Sequence, residues 1–205
     1  MANIIFDFDG TLADTLHIAI DVFRRITPED DVEDDKKIEE LRGLSAVEVI
    51  KHLGISWWRV PRLLYLGRKE MTAHIGEAKT FPGMAEVLQK LQKEHRLFIL
   101  SSNSAKNIAI FLQNNKLEAY FEHYWGDQGL FTKSSAIKKM IRKERLRPED
   151  CCYIGDEVRD IEAARHAGIR PISVTWGFNN RKALETGKPE VLVDQPKDLL
   201  KVLAA

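Results

Sequence analysis

The sequence has little of what would support a disulfide framework, a membrane span or a strongly charged binding surface. Its two cysteines, Cys151 and Cys152, are adjacent in the chain and cannot build such a framework. No apolar run approaches the roughly 20 residues that a membrane-spanning helix needs. With 31 basic and 31 acidic residues the formal net charge is +0, so neither a nucleic acid nor a membrane surface is expected as a partner.

Signals for secretion and for zinc or calcium binding are also missing. The N-terminus has no basic segment, and Asp7 and Asp9 interrupt its apolar run, which argues against a secretory signal. We therefore expect a cytoplasmic protein with reduced cysteines. The six histidines show no paired zinc-binding spacing, and the acidic run at residues 29–35 lacks the glycine turn of a calcium loop. We interpret that run as a solvated loop.

What the sequence does contain is an alternation of short apolar strands with amphipathic helices. Because the strands are apolar on both faces, they indicate a parallel sheet that is covered on both sides. Between them, apolar residues recur at helical spacing, for example at Met84, Val87, Leu88 and Leu91. This alternation predicts an α/β fold with a doubly wound, Rossmann-like parallel sheet. The four predicted strands are residues 4–8, 97–100, 152–154 and 171–175.

The stretch from residue 14 to residue 81 breaks this alternation. It contains no convincing strand, and we predict a small all-helical insert after the first strand. The α/β core is then formed by residues 1–13 and 82–205. The adjacent Trp57 and Trp58 are interpreted as packing residues within the insert. Its predicted helical segments are residues 16–26, 36–41, 46–53 and 57–75.

Polar side chains follow three of the predicted strands. Because ligands of open α/β sheets bind beyond the carboxyl ends of the strands, we expect these side chains to form one site. Four carboxylates in one place repel one another unless a cation lies between them, and Mg²⁺ prefers such hard oxygen ligands. The residues are Asp7, Asp9 and Thr11 after the first strand, Ser101, Ser102 and Asn103 after the second, and Asp156 and Asp160 after the third.

Asp7 and Asp9 have the spacing that phosphoryl transfer requires. Residues two apart on a strand share a face, so one carboxylate can attack phosphorus while the other protonates the leaving oxygen and later deprotonates water. Gly10 allows the chain to turn sharply beside a bound anion. An isolated Asp-x-Asp is more often a turn or a helix cap, but here an unbroken apolar strand leads directly into the acids.

These motifs resemble, in order, the four signatures of the haloacid dehalogenase superfamily. Residues 7–15, Asp-Phe-Asp-Gly-Thr-Leu-Ala-Asp-Thr, are similar to the first signature, and closely so to the phosphoglycolate phosphatase-like branch with a helical cap. Residues 100–103 resemble the second signature, Lys133 the third and residues 155–160 the fourth. The resemblance covers essentially the whole chain and implies that residues 14–81 form a cap domain.

The resemblance implies a role for each acid. Asp7 would be the nucleophile and a Mg²⁺ ligand. Asp9 would be the general acid and base and would bind the metal through its backbone carbonyl. Asp156 would bind the metal directly, and Asp160 would be a second ligand or act through water.

The resemblance also implies which residues hold the substrate. Ser101 would hydrogen-bond a phosphoryl oxygen, and Lys133 would neutralise phosphate charge. Lys138 and Lys139 are nearby rivals for that lysine, but both lie well inside a predicted helix. The remaining candidate substrate-binding residues are Thr11, Ser102, Asn103 and, in the insert, Arg42.

The implied activity is Mg²⁺-dependent hydrolysis of a small phosphomonoester through an aspartyl-phosphate, by a phosphoglycolate phosphatase-like monomer or homodimer whose partner is a small-molecule phosphate ester. A dehalogenase would need neither Mg²⁺ nor an acid at position 9. A phosphonate hydrolase would need a Schiff-base lysine in the insert, and no signature for one is present. A sugar phosphomutase shares all four signatures and stays the main alternative enzyme. A non-catalytic binding protein on the same fold is the alternative outside the enzymes.

Overall fold

The fold is built on a six-stranded parallel sheet. The computed structural model describes residues 1–26, 35–129 and 132–204, so most of the acidic run that we interpret as a loop lies outside the described residues. The strand order is β3-β2-β1-β4-β5-β6, and every neighbouring pair is parallel. The strands are β1 (Asn3–Phe6), β2 (Arg96–Leu100), β3 (His123–Trp125), β4 (Cys151–Gly155), β5 (Arg170–Val174) and β6 (Val191–Val193).

Side chains of the central strand β1 point alternately into two separate cores. Ile4 and Phe6 lie in one cluster of buried residues, which also receives side chains of α5 (Met84–Leu91), α6 (Ala105–Asn114) and α10 (Leu199–Leu203). Ile5 lies in the second cluster, with side chains of α7 (Lys133–Lys143) and α8 (Val158–Ala167). Helices therefore cover both faces of the sheet, which confirms the predicted doubly wound α/β fold.

Two strands, β3 and β6, are absent from the sequence-based prediction. Each has only three residues and pairs on one side, at an edge of the sheet. Their pairing with β2 and β5 in the folded sheet identifies them. The remaining core helix is α9 (Arg181–Gly187). No helix within the described ranges is both long and apolar enough to cross a membrane.

Four helices occupy the described part of the insert between β1 and α5, in agreement with its predicted helical character. The chain leaves and re-enters the core at one place, where the backbone N–H of Asp14 donates to the carbonyl of Lys79 at 2.9 Å and Ala13 pairs with Thr80. The two crossings thus lie side by side. The helices are α1 (Leu16–Ile26), α2 (Asp35–Arg42), α3 (Ala46–His52) and α4 (Val60–His74).

The interpretation of Trp57 and Trp58 as packing residues is wrong. Their exposed fractions are 52% and 79%, in the turn that precedes α4. A tryptophan pair in a short helical unit is commonly buried, but here both side chains are exposed to solvent. Cys151 and Cys152, by contrast, are buried in β4, as predicted, and burial raises their pKa values to about 11 and about 12.

Candidate active site

Three buried carboxylates meet at the carboxyl edge of the sheet. Asp7 directly follows β1, Asp156 follows β4, and Asp160 lies in the first turn of α8. Each offers an oxygen within 4.8 Å of the others, and all three are at most 3% exposed. The strand order reverses between β1 and β4, since β2 and β3 lie on one side and β5 and β6 on the other. This is the switch point at which ligands bind in open α/β sheets.

Asp7, Asp156 and Asp160, called the acid cluster below, place three carboxylates in one buried site, where negative charge is unfavourable. Burial raises the pKa of Asp7 to about 7, with Asp160 adding to the rise and Lys133 opposing it. Burial, together with Glu157, Asp160 and Asp7, raises the pKa of Asp156 well above its ordinary value. A cation bound among these oxygens would stabilise the ionised forms, and three hard carboxylates fit Mg²⁺.

Lys133 is the counter-ion of this cluster. It opens α7, is buried, and its Nζ donates to Asp7 Oδ2 at 2.8 Å and to Asp160 Oδ1. Burial alone would lower the pKa of Lys133, but Asp160 and Asp7 outweigh it and raise the pKa above 10.5. The rivals Lys138 and Lys139 are exposed on the same helix. The structure therefore brings Lys133, and neither rival, to the acids.

Asp160 connects the lysine to the loop that carries Asp156. Its Oδ2 accepts a hydrogen bond from the backbone N–H of Glu157 at 3.1 Å, as part of a capping box at the start of α8. A Cβ at Gly155 would lie 2.3 Å from Asp160 Oδ2, so only glycine allows this approach. With one oxygen on Lys133 and the other on the backbone, Asp160 is held in place from both sides.

Asp9 lies beside the cluster but faces a different environment. Asn103 Nδ2 donates to its two carboxylate oxygens at 3.2 and 3.0 Å, and Thr15 Oγ1 donates to Oδ1 at 3.1 Å. Burial raises the pKa of Asp9, and these hydrogen bonds partly oppose the rise. A carboxylic acid with a raised pKa holds its proton to higher pH, and these hydrogen bonds keep it in one orientation. Asp9 is therefore suited to donating a proton to a leaving group.

Asp9 lines a cleft of about 380 Å³ between the sheet edge and the insert. The core side of the cleft is polar, and the insert side is mostly apolar. Sequence reasoning identified Asp9, Ser102 and Asn103 on the core side but missed Glu157, Arg159 and Phe178. The described part of the insert contributes one lining cation, Arg68, and apolar side chains that include Ala19, Ile50, Ile55, Val60, Leu63, Leu64 and Met71.

Comparison with known proteins decides the family. A family model described as haloacid dehalogenase-like hydrolase matches residues 4–174. The chain belongs to the haloacid dehalogenase-like hydrolases. Over 206 residues it is 35% identical to a phosphoglycolate phosphatase of Synechococcus elongatus. The aligned region covers 99% of this chain and 97% of that protein. It is 23% identical to the pyrophosphatase PpaX of Bacillus mycoides, with 98% and 96% covered.

A solved structure of a haloacid dehalogenase-like family hydrolase from Streptococcus pneumoniae has the same fold. Its TM-score is 0.82 at 24% identity, and the match covers 98% of each chain. The resemblance drawn from the four motifs is thereby confirmed at the level of the family. Since the named relatives are phosphatases and pyrophosphatases, this haloacid dehalogenase-like chain is a hydrolase of a group that acts on phosphate esters.

Two of the expected substrate-binding residues of this hydrolase make hydrogen bonds to protein groups. Thr11 is fully buried, and its Oγ1 donates to Asp156 Oδ1 at 2.6 Å. Arg42 donates to the backbone carbonyls of Gly177 at 3.0 Å and Phe178 at 3.3 Å. Thr11 thus holds a carboxylate of the acid cluster, and Arg42 ties α2 to the loop after β5. Substrate binding by either residue stays a prediction.

The residues after β2 form a linked turn in the same site. Ser101 is 1% exposed, and its Oγ accepts from the backbone N–H of Asn103 at 3.0 Å. Asn103 in turn accepts through Oδ1 from the backbone N–H of Ser104 and from Asn107 Nδ2, each at 2.8 Å. This network fixes the amide of Asn103 with its Nδ2 on Asp9, a positioning contact that the sequence motif does not reveal.

Gly10 allows the loop after β1 to approach Asp156 closely, and replacing it should lower the stability of the protein. Its φ is +73°, and a Cβ would lie 2.3 Å from Asp156 Oδ2. We expect Gly10→Ala to lower the free energy of unfolding by about 2–5 kcal/mol, because steric overlap adds to the backbone strain. Gly54→Ala is the matched control, since its φ is +65° with nothing within 4 Å, and should cost only about 1–2 kcal/mol. Denaturant titration measures both; equal costs would show that the overlap is relieved by movement.

Proposed function

We propose that this chain is a Mg²⁺-dependent phosphatase that hydrolyses a small phosphomonoester through an aspartyl-phosphate on Asp7. The observation that carries the proposal is the placement of Asp7, which contacts Lys133 at 2.8 Å and lies in the acid cluster, while Asp9 two residues on lines the cleft. A nucleophile, a cation to offset phosphate charge and a separate proton donor are the parts that this reaction needs.

The acid cluster supports the metal requirement. Asp7, Asp156 and the backbone carbonyl of Asp9 would hold Mg²⁺, with Asp160 acting directly or through water. When bound, the ion neutralises negative charge on the phosphoryl oxygens. The donor set fits the ion because three carboxylate oxygens converge within 4.8 Å and burial raises the pKa values of Asp7 and Asp156.

The residues of the chain carry the proposed steps. Asp7 attacks phosphorus, and the bond to the leaving alcohol breaks as Asp9 donates its proton to the alcohol oxygen. Asp9 then takes a proton from water, whose oxygen attacks the phosphorus and releases Asp7 and inorganic phosphate. Lys133 holds Asp7 in place and offsets phosphate charge. Ser101 and the backbone after β2 would bind the remaining phosphoryl oxygens.

The insert is proposed to be a cap domain over residues 14–81, on a core of residues 1–13 and 82–205. Its apolar side chains line the cleft opposite Asp9, so closure would exclude water from the phosphoryl group. A cytoplasmic location and a monomeric or homodimeric state stay predictions.

Phosphoglycolate is the first substrate to test, because the Synechococcus relative at 35% identity is named for it. The experiment measures phosphate release from phosphoglycolate, pyrophosphate, a sugar phosphate and a nucleotide, with Mg²⁺ and with a chelator. We expect release from at least one ester that needs Mg²⁺. Release that is unaffected by chelation, or no release from any of the three esters (phosphoglycolate, the sugar phosphate and the nucleotide), would contradict the proposal.

The stability of the metal-free protein should fall as pH rises. The folded-state pKa of Asp7 is raised from 3.8 to about 7, so between these values the folded protein binds more protons than the unfolded chain. The free energy of unfolding should therefore fall by roughly 2–4 kcal/mol between about pH 4 and about pH 8 in chelator. Thermal unfolding at several pH values measures this dependence.

Mg²⁺ should remove much of that pH dependence, because the ion binds only the ionised carboxylates. Its stabilising effect should be larger at about pH 8 than at about pH 5. Asp156→Asn should lose this stabilisation, and Asp21→Asn, an exposed aspartate of α1, should keep it. An equal Mg²⁺ effect at both pH values would mean that the acid cluster does not bind the ion.

A further inference from the structure

Arg159 is a cation that lies next to the acid cluster of Asp7, Asp156 and Asp160. It lies in the first turn of α8, directly before Asp160, and it lines the cleft together with Asp9. Its side chain is 27% exposed, so it reaches the cleft from a mostly buried position. We propose that Arg159 determines specificity by binding an anionic group, a carboxylate or a second phosphate, on the leaving group of the substrate. This inference rests on the proposed phosphatase function.

The hydrogen bonds of Arg159 leave room for such a ligand. Its Nη2 donates to Glu157 Oε1 at 2.5 Å, whereas its Nε is buried and has no hydrogen-bond partner among the described residues. A buried N–H without an acceptor is unfavourable. The planar guanidinium can bind a carboxylate or phosphate through two N–H groups, and the exposed part of the side chain, 27% of its surface, is what an incoming anion would contact.

The charges around the cleft favour the same assignment. Glu157 lines it and would repel a second anionic group on the substrate. Arg159 from the core and Arg68 from α4 are the cations among the described lining residues, and Arg68 Nη2 lies 3.5 Å from the carbonyl of Ser102. An anionic leaving group would therefore enter between two guanidinium groups supplied by opposite walls.

The apolar wall of the insert strengthens this recognition. Side chains such as Ile50 and Leu63 face the same cleft and would reduce the water around a bound leaving group. Attraction between an arginine and an anion is stronger where water is excluded. A neutral leaving group of the same size would gain nothing from Arg159, so its replacement should discriminate between the two kinds of substrate.

A purely structural role is the competing explanation. Arg159 lies near the acid cluster, and its charge opposes the rise in the pKa of Asp7 and of Asp9. If that were its whole role, replacement would impair every substrate alike. The test therefore compares three substrates: phosphoglycolate carries a carboxylate, pyrophosphate carries a second phosphate, and 2-hydroxyethyl phosphate is the neutral counterpart of phosphoglycolate.

We expect Arg159→Gln to raise the KM for the preferred anionic substrate roughly 10- to 100-fold, as expected for loss of a charge-assisted hydrogen bond. The kcat of the variant for that substrate, and its kcat/KM for 2-hydroxyethyl phosphate, should change less than about 3-fold, because neither depends on an interaction between Arg159 and the anionic group. Arg159→Lys should recover part of the loss, because it restores the charge without the planar fork. Which of the two anionic substrates responds identifies the group that is recognised.

Arg165→Gln, on the exposed side of the same helix, is the matched control and should leave all three substrates unchanged. Equal losses for the charged and the neutral substrates, or no loss for any, would overturn the assignment. So would a native enzyme that hydrolyses phosphate esters but prefers neither anionic substrate over 2-hydroxyethyl phosphate, and the proposed function would survive that result. If native protein with Mg²⁺ releases phosphate from no ester at all, the proposed function fails as well.

Discussion

Asp7→Asn should reduce kcat for phosphate release by a factor on the order of 10⁴–10⁶, while the protein keeps its fold. An amide is a far weaker nucleophile than a carboxylate, and the substitution also removes one oxygen from the acid cluster. The fold should survive because asparagine has nearly the same shape, and its Oδ1 can still accept from Lys133 Nζ, which donates at 2.8 Å in the native protein. Steady-state kinetics and circular dichroism on the same sample measure the two effects.

Asp21→Asn is the control for Asp7→Asn. It makes the same chemical change on a side chain that is 60% exposed in α1, so its kcat should equal that of the native enzyme. Acid quenching during turnover of a radiolabelled phosphate ester should leave label on native protein and none on Asp7→Asn. If the variant retained native kcat, or carried the label, the nucleophile would have to be another residue.

Lys133→Met should lower the free energy of unfolding by about 3–5 kcal/mol near neutral pH. Lys133 is 5% exposed and contacts Asp7 and Asp160, so its loss would leave two buried carboxylates without their cation. Activity should fall as well, because the charge that offsets the phosphoryl group is lost. Methionine keeps most of the side-chain volume, which limits any cavity and separates the charge effect from packing.

The pH dependence of the Lys133→Met effect gives a sharper test. The pKa of Asp7 is about 7 in the native protein, and without Lys133, which lowers it, the pKa should be higher still. Protonation of Asp7 below that value removes the charge that lacks a partner, so the deficit in stability should shrink towards about pH 5. Lys138→Met, on the exposed face of α7, should stay within about 0.5 kcal/mol of native at every pH. A Lys133→Met protein as stable as native throughout would show that the ion pairs contribute nothing.

The fold class could be predicted because its strongest signals are local. Each central strand is a short, continuous apolar run, and apolar residues at helical spacing follow it, so run length and helical periodicity together separate the two kinds of element. The edge strands β3 and β6 were missed because both are short and their pairing with β2 and β5 exists only after folding. The exposure of Trp57 and Trp58 was misjudged for a related reason, since composition does not say which way a turn points.

Some features of the site could likewise be predicted from the sequence, and others could not. Asp7, Asp9 and Asp156 could be placed at strand ends from the sequence, and the topology of a parallel sheet brings such ends together. The contacts of Asn103 with Asp9 and of Thr11 with Asp156 join residues 94 and 145 positions apart, which no local pattern specifies. Arg159 was overlooked because a single arginine between motif residues has no distinguishing spacing.

By itself the sequence determined the parallel α/β core, the helical insert and the acidic motifs at the strand ends, because apolar periodicity and strand-end chemistry are written in neighbouring residues. Only the tertiary structure decided which acids Lys133 contacts, which side chains hold Asp9 and Asp156, and where Arg68 and Arg159 lie in the cleft. These outcomes depend on burial and on distances between remote segments, and those quantities arise only when the sheet and the insert pack together.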